Sequence, residues 1–259
     1  MQWPPLLWQT LLWKALPWQV PLSTVALLLV LLCHPPQALA VTYLDQSERL
    51  QLLYAFLLDL RPAGSPLTGA QARSNWAVEL IALPNVDTRV GSKNEPVSPP
   101  PAIPRGRLRV LSSWGGLIGL AWTPPVSVSE YTADLQGFEL GWQGPVLGVS
   151  TALRTYSLRG RVLGPITEDG VKDRFTVITQ GGDLRLGTAW GVLVGYLGVG
   201  QGNVETRLAV DSDGAMLHAE GVYAYSLLGL ALRAEPWLAT FEQNWTEDYL
   251  RHFSLTVSH

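Results

Sequence analysis

From Trp76 to the C-terminus the chain alternates with period two, and the alternation sorts residues by size more than by polarity. Gln136 to Trp142 places Phe138, Leu140 and Trp142 on one face and Gly137, Glu139 and Gly141 on the other. Leu147 to Tyr156 sets Leu147, Val149 and Leu153 against Gly148, Ser150, Ala152 and Arg154. The division recurs in Leu184, Leu186 and Trp190 against Asp183, Arg185, Gly187 and Ala189, and in Val204, Leu208 and Val210 against Glu205, Arg207 and Ala209. Leu228, Leu230 and Leu232 oppose Gly229, Ala231, Arg233 and Glu235 in the same way. Successive side chains of a strand point to opposite faces, so each run builds a sheet with one bulky apolar side. A soluble sandwich would turn that side inward and cover the other with Lys, Glu and Thr. Here the second side is Gly, Ala and Ser with a few ions of both signs, which suits a narrow barrel interior where glycine makes room for Arg and Glu to pair. The expected fold is all-β, a closed antiparallel up-and-down transmembrane β-barrel with its leucines toward lipid.

Counting runs predicts about ten strands, near 75 to 84, 105 to 113, 116 to 124, 133 to 143, 145 to 160, 171 to 189, 192 to 210, 214 to 226, 228 to 239 and 246 to 258. Eight or twelve follow if one hairpin is misread. Long connections are expected at 85 to 104, 125 to 132, 161 to 170 and 240 to 245. Short ones are expected at Trp114-Gly115, Gly144, Trp190-Gly191 and Leu227, with the seventh and eighth strands meeting at Ser212-Asp213-Gly214. Segregated long and short ends are the pattern of loops and turns on opposite sides of a membrane, and an even count leaves both barrel termini on the short-turn side. Trp76, Trp114, Trp122, Trp142, Trp190 and Trp237 fall near run ends, where interfacial girdles would put them. Gly181-Gly182 breaks the alternation of the sixth run and predicts a bulge. Pro96, Pro99, Pro100, Pro101 and Pro104 stiffen the first long loop.

Charged residues are only 15% of the chain and the net charge is -3, which offers nucleic-acid phosphates little and argues against disorder. All 25 glycines lie after residue 40, whereas residues 1 to 40 hold Lys14 as their only charged residue. Within that stretch Val20 to Cys33 is apolar, but its uninterrupted part, Val25 to Cys33, is shorter than the roughly 20 residues a membrane-spanning helix needs. Ala38-Leu39-Ala40 then supplies small residues three and one positions before a cut, so 1 to 40 reads as a secretory signal peptide. Cleavage there removes Cys33, the sole cysteine, and leaves a thiol-free chain suited to an oxidising compartment. Residues 41 to 74 form a helix and linker, and 75 to 259 the barrel. Leu50, Leu53, Tyr54, Leu57 and Leu58 recur at helical spacing between Asp45, the expected N-cap, and Arg61-Pro62. The apolar stripe of this short amphipathic helix is expected to bury against the outside or end of the barrel, with a plug or a partner-binding helix as the alternatives.

With Ala38-Leu39-Ala40, the strand series and a final run carrying Phe253, Leu255 and Val257, the sequence resembles small bacterial outer-membrane β-barrel proteins that have a signal peptide, a short helix and a barrel reaching the C-terminus. The resemblance implies residence in the bacterial outer membrane and, as partners, outer-membrane lipid or lipopolysaccharide and the outer-membrane assembly machinery. That machinery reads a terminal aromatic in many such barrels. This chain ends in His259, with Phe253 six residues earlier.

Candidate chemistry is sparse. His218 and Glu220, two apart on one strand face and expected to point inward, are spaced for an imidazole oriented by a carboxylate, with Ser150 or Ser254 as conceivable nucleophiles. The glycines of GYLGVGQG, from Gly195 to Gly202, are followed by a further strand rather than a helix, so they do not make a dinucleotide site. No Cys, His and Asp set has metal-ligand spacing, and neither a metal nor a cofactor is implied. Arg105, Arg107 and Arg109, with Arg154, Arg159, Arg161, Arg185 and Arg207, are candidates for lining an anion-selective constriction or for holding lipopolysaccharide phosphates at the rim. The plainer expectation is salt bridges inside the lumen with Glu79, Glu139, Asp183 and Glu205. The function expected is non-enzymatic: a structural or adhesive outer-membrane barrel, or a narrow small-solute channel. The alternatives are a barrel-embedded hydrolase acting on lipid or peptide, and a soluble secreted β-sandwich or lipocalin-like binder.

Overall fold

The structure is a computed structural model that describes residues 43–61, 64–66, 73–82, 102–128, 130–167, 170–246 and 251–259. The signal segment and Pro96, Pro99, Pro100 and Pro101 lie outside the described residues. Ten antiparallel strands close into a barrel in chain order. They are β1 (Arg73–Ala82), β2 (Ala102–Leu111), β3 (Gly116–Val128), β4 (Tyr131–Val146) and β5 (Val149–Gly164), followed by β6 (Asp173–Trp190), β7 (Leu193–Ala209), β8 (Met216–Ala234), β9 (Trp237–Thr246) and β10 (Arg251–Ser258). The closing pair runs from Ala77↔Ser258 to Ala82↔Phe253, so no sheet edge is left along it. Both barrel termini lie at the end where β2–β3, β4–β5, β6–β7 and β8–β9 turn.

Several boundaries differ from the sequence reading, each for a physical reason. The expected loop at 125 to 132 is mostly strand: β3 continues to Val128 and β4 starts at Tyr131. Pairing between them slips between Thr123 and Val126, where Pro124 and Pro125 have no N–H to give the ladder. The tight turn near Gly144 lies instead at Leu147-Gly148, both with positive φ. Leu227 is no turn, because β8 runs unbroken and Leu227 faces in while Leu228 faces out; the chain reverses at Glu235-Pro236. Residues 240 to 245, read as a loop, are the centre of β9. Pro104 lies within β2 and not in the first loop.

The bulge expected at Gly181-Gly182 is absent: both glycines pair in unbroken register with β5 and β7. What changes there is the environment. Toward the short-turn end, Leu184 and Leu186 face out while Asp183 and Arg185 face in; toward the other end, Phe175 and Val177 face in while Arg174 and Thr176 face out. The other long strands behave alike. In β7, Leu197 and Val199 face out but Val204 and Leu208 face in, and in β5 Leu153 faces out but Leu158 and Val162 face in. The barrel therefore has two storeys, a lower one lipid-facing outside and ionic inside, and an upper collar that is mainly polar outside, with Ile178, Met216 and Val222 exposed among the polar residues, and dry inside. This corrects the inward placement of Glu205 and Arg207, which stand on the outer wall of the collar. Strands β4 to β8 are long enough to build it; about ten tilted residues suffice to cross the hydrocarbon.

The lower storey carries Trp76, Trp114, Trp190 and Trp237 exposed near its turns, with Trp76 and Trp237 edge to face at 5.6 Å and the His259 ring stacked on Trp76. One hydrogen-bonded row joins Trp142, Leu153, Leu184, Val199, Ser226 and Trp245. It begins near the short turns and ends near the opposite rim, as tilted strands require.

Helix α1 (Tyr43–Leu58) lies inside the collar, not against the outside of the barrel. A helix buried all round needs apolar residues beyond one stripe, and Leu50, Leu53, Tyr54, Ala55, Phe56, Leu57 and Leu58 are all buried. They pack on Phe175, Val177, Leu208 and Leu227 from the wall, and Gln51 Oε1 accepts from the Thr206 hydroxyl at 3.1 Å. The sequence missed the position because a stripe shows that a helix is covered but not by what.

Candidate functional site

The lumen below α1 is the site that the fold assembles. After Leu58 the chain continues through Asp59, Leu60, Arg61, Gly64, Ser65 and Pro66, all buried, toward the short-turn end. Its carbonyls are taken by wall arginines. Arg105 donates to Leu58 O at 2.6 Å and Asp59 O at 3.0 Å, and Arg107 to Leu60 O at 3.2 Å and Arg61 O at 2.8 Å. Arg154 donates to Gly64 O at 3.1 Å and Ser65 O at 3.2 Å, and Arg185 also reaches Gly64 O at 3.1 Å. A helix C-terminus leaves its last carbonyls unpaired and carries partial negative charge, so guanidinium groups are the natural cap.

These arginines, joined by Arg109, face wall carboxylates. Arg107 meets Glu79 at 2.7 Å, Arg109 meets Glu139 at 2.8 Å, and Arg185 meets Asp183 at 2.8 Å and Glu242 at 2.5 Å. Asp59 anchors the descending segment from within: it accepts from Tyr156 at 2.8 Å, from Thr179 at 2.5 Å, and from the Tyr223 hydroxyl. Arg61 stacks 3.5 Å over the Phe56 ring and donates to Phe56 O at 2.7 Å. Small wall residues make this crowding possible. A side chain at Gly229 would collide with Tyr196, whose hydroxyl donates to Glu242 at 2.9 Å, and one at Gly137 would strike Leu60.

Of the residues singled out in the sequence, Arg107, Arg109, Arg154, Arg185 and Glu139 meet in this lumen, as do Arg105, Glu79 and Asp183. Arg207 and Glu205 do not; they pair with each other at 3.0 Å on the outer wall. His218 and Glu220 are likewise outside, correcting their expected inward placement. The imidazole meets Glu220 at 2.9 Å and Thr206 O at 2.8 Å, while Ser150 lies near the opposite, short-turn end. Their parity was misread because the collar inverts which face is wet. Arg159 and Arg161 also face outward. Sequence reasoning missed Asp59, Arg61 and Glu242. Glu242 is legible in the sequence, since Thr240, Glu242 and Asn244 alternate with Ala239, Phe241 and Gln243 across the segment expected to be a loop.

A closed barrel with leucine and tryptophan outside and a paired ionic interior below defines the class: a ten-stranded β-barrel of the outer-membrane type, plugged by its own N-terminal segment. No family model and no curated protein matches the sequence. Among solved structures the chain is similar to the outer-membrane protein Omp33 of Acinetobacter baumannii, at 7% identity and a TM-score of 0.32 over 74% of this chain and 99% of that one. It is also similar to Ail, the attachment invasion locus protein of Yersinia pestis, at 12% identity and a TM-score of 0.26 over 73% and 96%. A third is the siderophore receptor PirA of Pseudomonas aeruginosa, at 8% identity and a TM-score of 0.25 over 72% and 40%.

Proposed function

We propose that this chain is a plugged, non-enzymatic barrel of the bacterial outer membrane, with a structural or adhesive role carried by the collar it holds beyond the bilayer. The observation behind this reading is that Arg105, Arg107, Arg154 and Arg185 all donate to backbone carbonyls between Leu58 and Ser65. A pore needs a column of water where these groups bind protein instead, which favours the structural or adhesive role over the small-solute channel. On the outer wall Arg159, Arg161 and Arg174 stand exposed above the apolar band, at the level suited to lipopolysaccharide phosphates. The assembly machinery of the outer membrane is the other partner of this reading.

Purified full-length protein in planar bilayers is expected to be electrically silent. The double variant Arg105→Ala/Arg154→Ala, which withdraws the guanidinium donors from the Leu58, Asp59 and Ser65 carbonyls and leaves Gly64 O to Arg185 alone, is expected to give irregular conductance steps. A stable open step from the wild type would return the channel reading. In the same preparation, envelope fractionation is expected to place the protein in the outer membrane. The intact mass is expected to correspond to a chain starting at Val41; a mass retaining residues 1 to 40 would remove the signal-peptide assignment.

A further inference from the structure

The wall is not hydrogen-bonded throughout. Pairing of β2 with β3 stops at Gly106↔Trp122, and Ala102 to Arg105 pair with β1 alone. Above that point Pro104, Pro124 and Pro125 remove three backbone donors, so fewer orphan N–H groups result from leaving the strands apart. The opening lies beside Trp122 and Leu80, at the upper edge of the lipid-facing band. A narrow apolar crevice passes through it. Its lining includes Ala102 and Pro104, which share the outer face with Leu80, and also inward-facing Ile103, Ala133 and Val162, with Leu57 and Leu58 of α1 at its floor.

The polar groups of this crevice differ in one respect. Tyr54 and Tyr131 bond each other at 3.3 Å, and Tyr131 donates to Pro165 O at 2.8 Å. Thr123, only 2% exposed, has a hydroxyl with no hydrogen-bond partner among the described residues. A buried hydroxyl left unpaired is unfavourable, so on this mainly apolar wall Thr123 offers a donor to a ligand that is apolar along its length and has an acceptor near one end. The mouth meets the hydrocarbon of the surrounding leaflet.

We propose that the β2–β3 opening seats part of one acyl chain of a membrane lipid from the long-loop leaflet against α1, with the Thr123 hydroxyl donating to the lipid's ester carbonyl, a few carbons entering the crevice of about 30 Å³ and the rest of the chain lying in its mouth. The inference rests on the barrel standing in a bilayer. Full-length protein is reconstituted in phosphatidylcholine vesicles doped with a phosphatidylcholine that carries a diazirine midway along one acyl chain, then illuminated, digested and mapped. Label is expected on Leu57, Leu58 or Val162, which a lipid confined to the outer wall does not reach. Ala133→Phe, which fills the slot, is expected to lower that interior label at least tenfold while label on Leu108 and Leu120 persists. Thr123→Val, close in volume, is expected to lower it about fivefold, the equivalent of one hydrogen bond. Heat-modifiable migration confirms that both variants fold. Label restricted to Leu80, Leu108, Leu120 and Trp122, or interior label unchanged in both variants, would overturn the proposal and leave the membrane reading standing. No label on outward residues either would overturn both.

Discussion

Arg185→Ala is expected to destabilise the barrel by about 3–5 kcal/mol, the range for removing one partner of a buried ion pair. Arg185 is fully buried and serves three groups at once: Asp183 at 2.8 Å, Glu242 at 2.5 Å and Gly64 O of the plug at 3.1 Å. Its loss leaves Asp183 and Glu242 without the guanidinium that bridges them, and Asn244 and Tyr196 are the neighbours left to donate to Glu242. The control is Arg207→Ala. That guanidinium also pairs with a carboxylate two residues away, but its side chain is 64% exposed, and such a pair is worth about 0–1 kcal/mol. Urea unfolding in lipid vesicles, followed by tryptophan fluorescence and heat-modifiable migration, separates the two. If Arg185→Ala unfolds within about 1 kcal/mol of the wild type, the ionic layer is not what holds the lower lumen.

The second large effect tests the two-storey wall. Leu230→Arg places a cation on the lipid-facing side of the lower storey and is expected to cost about 2–4 kcal/mol. Leu208→Ala, in the collar, is expected to cost about 2–5 kcal/mol because Leu208 is fully buried with α1 and Phe175 in one core. Arg207→Leu, next in sequence to Leu208 but on the wet outer wall, is expected to stay within about 0.5 kcal/mol. A barrel with a single pattern from rim to rim would give a different order: Leu208 would face lipid and tolerate alanine, and Arg207 would be an interior ion whose loss is costly. The same unfolding measurement ranks the three variants.

The outward position of His218 and Glu220 shows how the lower storey misled the reading of the upper. In Leu184 to Trp190 and Leu228 to Leu232 the bulky residues do face lipid. Carried along β7 and β8, that rule assigns Leu208 outward and Glu205, Arg207, His218 and Glu220 inward, and all five are reversed. Gly181-Gly182 held the clue, since Phe175 and Val177 on one side of it have the opposite parity to Leu184 and Leu186 on the other, but a register slip and a change of solvent leave the same trace in a sequence. Only the unbroken pairing of Gly181 with Tyr156 and Gly202 tells them apart.

Period-two alternation, glycine opposite leucine, and tryptophan near the run ends were enough to specify a closed antiparallel barrel of about ten strands, with eight or twelve still open, because these features depend only on the local geometry of a strand and the unlikeness of its two faces. The ionic interior at Glu139, Arg154, Asp183 and Arg185 was legible on the same grounds. The height at which the outside turns from lipid to water, the seat of α1, and the meeting of Asp59, Arg61 and Glu242 with the wall arginines came from closure. Each depends on groups that are far apart in the chain and adjacent only once the last strand pairs with the first. An alternating sequence records that two faces differ; which of them is dry depends on what the finished cylinder encloses and what surrounds it.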